Sequence, residues 1–288
     1  MNKWFITAIS SLCVILLLIC SPLFAQKSPQ KPNLNALQEA PQNPNWEKYH
    51  STDEAYALLE SWAALYPDLT NLYSIGQTLK GTPLKVLEIT NKQTGAALEK
   101  PGYYYDGNIH SGELTAAEVI LHFAWYLLSH YGKDPYVTRL VDTRTFYLRP
   151  KFNPDGADIA LNTPLSLRST PRPYDEDRDG LLDEDPPNDL NQDGSITLMR
   201  VRNLHGLWKV SSQDPRIMVH RETGDYEGEF YHLYSEGIDD DGDGYFNEDG
   251  IGGIDMNRNF PRNWGMEFQQ QGAGPYPLSE PETQATLE

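Results

Sequence analysis

The stretch Gly102-Tyr103-Tyr104-Tyr105-Asp106-Gly107-Asn108-Ile109-His110-Ser111-Gly112-Glu113 decides how this chain is read. Its consecutive tyrosines suit a β-strand, expected over 102–105 and buried. After Glu113, apolar residues at Leu114, Ala117, Leu121, Ala124, Trp125 and Leu128 recur at helical spacing, which predicts a long helix facing a core. His110 and Glu113 therefore fall where a strand ends and a helix begins, the place where α/β sheets usually hold ligands. An imidazole and a carboxylate three residues apart across such a turn can converge on one cation and leave positions open for a further ligand and a water. Taken alone the pair is a weak signal, because helix capping by His110 and a favourable helix dipole at Glu113 would use the same residues.

Outward from this turn, the same alternation continues. Ser51 and Glu54 have the spacing of a capping box, and Tyr56, Leu59, Trp62, Ala63 and Tyr66 follow at helical intervals until Pro67. Residues 72–75 and 84–90 read as a hairpin joined through Gly76 and Gly81, and 145–148 as a fourth strand. Pro150 and the turn Asn153-Pro154-Asp155-Gly156 end that strand. The pattern predicts an α/β fold, a mixed β-sheet flanked by helices, beginning near Trp46. From 157 to 253 the apolar periodicity lapses and Asp, Asn, Gly and Pro dominate, so this stretch is expected to be a long, irregular acidic insertion before core-like sequence resumes at Ile254.

Residues 1–25 have the pattern of a secretory signal: Lys3, an apolar run over 6–19, and Leu23-Phe24-Ala25 before Gln26. A lipoprotein site at Cys20 fits less well, since bulky Ile19 precedes it, and an uncleaved anchor would be marginal in length. Residues 26–45, rich in Pro, Asn and Gln, suit a linker. The expected location is secreted or periplasmic, with no stable membrane partner after cleavage. Cys13 and Cys20, the only cysteines, lie in the leader, so a mature chain has neither disulfide nor thiolate metal site. A formal charge of -18 disfavours nucleic acid and anionic membranes and favours cations.

The acids are concentrated in a repeat. Asp175-x-Asp177-x-Asp179-Gly180-x-x-Asp183-Glu184-Asp185 recurs as Asp239-x-Asp241-x-Asp243-Gly244-x-x-Asn247-Glu248-Asp249, and Asp189-x-Asn191-x-Asp193-Gly194 lies between. Oxygen side chains at alternate positions followed by glycine are what a calcium loop needs. Pro186, Arg200 and Gly250 occupy the twelfth positions, so none is a regular EF-hand; the loops look more like the dockerin and thrombospondin type 3 style, with Asp185 or Asp249 available to close the shell. The alternative is a solvated acidic loop, although carboxylates packed this closely repel one another without a cation.

The motif of residues 106–113, Asn153-Pro154-Asp155-Gly156, Asp255-x-Asn257-Arg258-Asn259-Phe260 with Trp264, and Ser279-Glu280-Pro281-Glu282-Thr283 occur in one order. Together they resemble the zinc metallocarboxypeptidase family, over roughly 49–158 and 254–288. The resemblance implies zinc bound by His110 and Glu113. It implies that Asn257 and Arg258 grip the free carboxylate of a peptide, a task suited to a guanidinium fork. It also implies an arginine, Arg168 or the competing Arg172, polarising the scissile carbonyl. The family's third zinc ligand, its substrate-capping tyrosine and its general-base glutamate follow the Ser-Glu-Pro-Glu-Thr motif, beyond Glu288. His122 and His130 suit packing or capping, and His205, His220, His232 and Glu267 are unconvincing substitutes.

The expected function is an exported zinc carboxypeptidase acting on peptide or protein C-termini, with zinc and calcium as cofactors. Hydrolysis of a peptidoglycan peptide or another amide is a related reading. A calcium-dependent binding or structural protein on a non-catalytic peptidase fold is the rival. As a sheet cut short at the C-terminus, the 288 residues by themselves are expected to be poorly stable and inactive.

Overall fold

A computed structural model describes residues 44–175, 178–247 and 249–288. The leader and nearly all of the linker fall outside the described residues, as do Asp177 and Glu248. The first helix, α1 (Thr52–Leu65), opens with the expected capping box: Ser51 accepts from the Glu54 amide and Glu54 accepts from that of Ser51. Strands β1 (Thr70–Gln77) and β2 (Pro83–Ile89) form the antiparallel hairpin. Then come β3 (Gly102–Asp106), α2 (Leu114–His130), α3 (Pro135–Thr143), β4 (Thr145–Arg149) and α4 (Pro154–Asn162).

The sheet runs β1-β2-β4-β3, with β2 antiparallel and β3 parallel to β4, so it is mixed as expected. One core joins Leu59 and Trp62 of α1, Leu87 and Ile89 of β2, Leu121, Ala124 and Leu128 of α2, Val141 of α3, and Phe146 and Leu148 of β4. No described helix is long and apolar enough to cross a membrane.

Two expectations change here. The tyrosines of β3 are not buried; Tyr103, Tyr104 and Tyr105 are 42–43% exposed because β3 is an edge strand paired only with β4. The 153–156 turn is the start of α4: Asn153 caps it by accepting from the Gly156 amide, and Pro154 takes the first helical position, where a missing N–H costs nothing. Helix α3, for which no expectation was made, is started by Asp134, which accepts from the amides of Tyr136 and Val137, and it buries Val137 and Val141, four residues apart, on one face.

The acidic stretch also holds regular structure. Strands β5 (Leu198–Arg202), β6 (Trp208–Val210), β7 (Met218–His220) and β8 (Tyr231–Ser235) make a second sheet in the order β5-β8-β6-β7. Before it, buried Leu167 and Thr170 return to the main body, and Thr170 donates its amide to Ile254. A short terminal helix, α5 (Pro281–Leu287), packs against β1.

Candidate active site

The site is built on three backbone pairings. Where β3 ends, Asn108 adopts φ 63° and its buried amide group donates to the carbonyls of His110 and Ser111, fixing the turn that presents His110. The amides of Ser111 and Gly112 donate to the carbonyls of Arg168 and Leu167, which brings the segment after α4 alongside the turn. Asn153 strengthens this junction by donating to Ser111 Oγ at 2.8 Å and to the Ser169 carbonyl at 3.1 Å. Gly156 is required at the same point, because a Cβ there would stand 2.1 Å from Ser111 Oγ. The Thr170–Ile254 bond then places Asp255 beside both.

Five predicted residues meet around that aspartate. His110 Nδ1 lies 2.8 Å from Glu113 Oε1, and its Nε2 lies 3.1 Å from Asp255 Oδ1. Arg168 donates from Nε to Asp255 Oδ2 at 2.9 Å, with its Nη1 3.9 Å from Glu113 Oε1. Arg258 Nε stands 3.5 Å from the same Asp255 oxygen, and Nη1 donates to the Gln271 carbonyl at 2.6 Å. Asn257 is exposed and gives its amide to Asp255 Oδ1.

Arg172 is separated from this group. It pairs with Glu280 at 2.8 Å, in a cluster where burial and the nearby Glu280 charge push the Glu282 carboxyl up to about 7. The other candidates lie apart as well: His122 packs on Trp46 and Trp125, His130 on Tyr126, His220 on Trp208 and His232 on Tyr234. Glu267 accepts from the Gly272 amide.

Asp255 carries the arrangement, and its role was not legible in the sequence. It stood in a quoted motif, but its partner His110 is 145 residues away. Asn259 was missed in the same way. Fully buried, it donates to Ala273, Tyr276 and Ser279 and accepts from the Glu280 amide and the Thr283 hydroxyl, locking the Ser-Glu-Pro-Glu-Thr segment in place.

The donor set fits zinc. A buried imidazole nitrogen and a carboxylate that is 55% exposed converge on one open face. The other imidazole nitrogen is held by a buried carboxylate, the arrangement that fixes ring orientation in histidine metal ligands.

The zinc carboxypeptidase family model matches residues 55–288. The chain belongs to this family. Among relatives of the zinc carboxypeptidase, mouse carboxypeptidase M is 36% identical over 109 residues, covering 38% of this chain and 25% of its own. Carboxypeptidase D of Anas platyrhynchos is 33% identical over 136 residues, covering 47% and 10%. Rat carboxypeptidase A2 is 32% identical over 136 residues, covering 47% and 31%. Among solved structures, thrombin activatable fibrinolysis inhibitor matches with a TM-score of 0.54 at 20% identity, covering 88% of this chain and 49% of its own. Carboxypeptidase A from Helicoverpa armigera gives 0.50 at 17%, covering 88% and 46%. These two likenesses speak to the fold alone, and the chain spans about half the length of either. It spans a third or less of the three curated relatives.

The acidic loops share one backbone form. In each, the first aspartate accepts from the amide of the glycine five residues on: Asp175 from Gly180, Asp189 from Gly194, Asp239 from Gly244. Arg178, Gln192 and Gly242, one step beyond the second acidic position, all have positive φ. Carboxylate oxygens of Asp239, Asp241 and Asp243 lie within 4.8 Å of one another, and so do those of Asp179, Glu184 and Asp241, which joins the first loop to the third. Buried Asp185 crosses the same junction, accepting from the amides of Asp240 and Asn247. Asp183 ties the module to the main body by accepting from the amides of Tyr174 and Gly252. Burial, a hydrogen bond with Asp249 and the charges of Asp249 and Asp179 push the Glu184 carboxyl up to about 7.

Proposed function

We propose that this chain carries the metal-binding and substrate-orienting part of an exported zinc carboxypeptidase that removes single residues from peptide C-termini. The observation that carries the reading is the convergence of His110, Glu113, Arg168 and Arg258 around buried Asp255. His110 and Glu113 would hold zinc, which supplies Lewis acidity at that open face. Asp255 holds the imidazole of His110 in orientation.

Arg258 and Asn257 bind the terminal carboxylate, where the guanidinium fork matches both oxygens. Arg168, held through its Nε by Asp255 and with its Nη1 3.9 Å from Glu113, would donate from its terminal nitrogens to the scissile carbonyl as negative charge develops there. Its contact with Asp255 favours it over Arg172, whose charge is engaged by Glu280. The secretory pattern of residues 1–25 supports export.

The three loops bind calcium in this reading. The carboxylates grouped in the first and third loops offer the hard oxygen ligands that calcium takes, the second loop shares their backbone form, and extracellular calcium levels suit such sites. The test of the main reading is release of free amino acids from peptides by the full encoded protein. Zinc should restore release after chelation and Glu113→Gln should abolish it. Release that persists in that variant, or no release from a folded zinc-loaded protein, overturns the proposal.

A further inference from the structure

A cavity of about 420 Å³ lies directly beside Arg168, between the segment after α4 and the acidic insertion. Leu165 and Leu167 form one wall, and Pro187, Ile196, Leu198 and Ile251 come from the insertion. Arg168 is the one charged residue lining it. The volume lies within the range of ordinary ligand clefts, and these six apolar side chains share the lining with Arg168 and with Ser166, Ser169, Thr197 and Ser235, apolar walls interrupted by a few polar groups as such clefts usually have.

Position relative to the site suggests what enters. Arg168 and Arg258 flank Asp255, each within 3.5 Å of its Oδ2, and the cavity is lined by Arg168 but not by Arg258. On the reading of the site given above, a peptide has its terminal carboxylate at Arg258 and its scissile carbonyl at Arg168. The chain that continues toward the N-terminus of such a peptide leaves on the far side of Arg168, at the mouth of this cavity. An extended chain advances about 3.3 Å per residue, so the first residues before the scissile bond come within reach of it.

We propose that this cleft receives apolar side chains of the peptide just N-terminal to the scissile bond, and that Ile196 and Leu198 of the insertion are specificity-determining residues. The proposal rests on the carboxypeptidase reading for the direction of the peptide. It gives the insertion a role in choosing substrates, through a wall supplied by residues other than the metal ligands and the arginines.

The test measures binding and cleavage side by side in the full encoded protein. Isothermal titration calorimetry with acetyl-Leu-Leu-X and acetyl-Gly-Gly-X, where X is Phe or Arg, should show the leucine peptides binding about tenfold or more tightly, the scale on which apolar pockets discriminate. The double variant Ile196→Ser/Leu198→Ser should lose that ratio while binding the glycine peptides as wild type does. Equal binding of the two series, or a leucine preference that survives the double substitution, overturns the cleft proposal. Release of X is scored separately: selective binding without release keeps the cleft and removes the peptidase reading, whereas release without leucine preference does the reverse.

Discussion

Asp255 touches His110, Arg168 and Arg258 at once, so a change there reaches every part of the site. Asp255→Asn keeps the shape but removes the charge that orients the imidazole and holds Arg168. Loss of such a partner typically costs about 10–100-fold in metal affinity. Competition with a chromogenic chelator should show a loss of that size, with circular dichroism unchanged. Glu282 offers a test by pH. Its carboxyl is 4% exposed and is pushed up from an ordinary 4.5 to about 7, first by burial and then by the nearby Glu280 charge, with Arg149 opposing. A carboxyl whose pKa is raised by folding contributes stability that is fully present below 4.5 and is lost as pH rises through about 7. The loss is on the order of 3 kcal/mol at most. In urea titrations Glu282→Gln should therefore gain on wild type between pH 5 and pH 8; an unchanged difference would contradict the account. His110 and Glu113 could be found from the sequence through the ordered motifs around them, since their spacing alone is a weak signal. Asp255 and Asn259 could not, because their meaning lies in contacts across the chain.

At the scale of elements, sequence signals served best where structure is local. The capping box at Ser51 and the periodicity after Glu113 gave helices at the expected places, and the hairpin formed between the expected strands. Burial of β3 was misread because an aromatic run looks the same in a central strand and at an edge, and only strand order separates the two. The Asn-Pro-Asp-Gly motif was misread as a turn because the residues that favour turns also start helices. That motif joins α4 to the site, so Gly156→Ala is informative. The added Cβ meets Ser111 Oγ, whose bonds to Asn153 and Ser169 leave it no free rotation. Thermal unfolding should show a destabilisation of about 1–3 kcal/mol, as overpacking of a tight site does. A neutral outcome would mean that this junction is looser than described.

Across the whole molecule, the acidic repeat links a second sheet to the body that carries the site. Asp241 contributes to both carboxylate groups, one within the third loop and one shared with the first. Calcium should raise the melting temperature, by the equivalent of about 2.7 kcal/mol when it reaches a hundred times its dissociation constant. Asp241→Asn should remove more of this gain than Asp193→Asn, and equal losses would argue against a shared site. The second sheet itself was not legible, since its short strands alternate weakly and sit among turn-forming residues. The central claim concerns the end of the peptide that the site recognises. Its most direct test compares one peptide with a free and an amidated C-terminus, using mass spectrometry of products formed by the zinc-loaded, full encoded protein. Stepwise loss of single residues from the free acid, with the amide untouched, is the predicted result. Equal cleavage of the two, or cuts within the chain, would contradict the assignment of Arg258 and Asn257 as the carboxylate clamp.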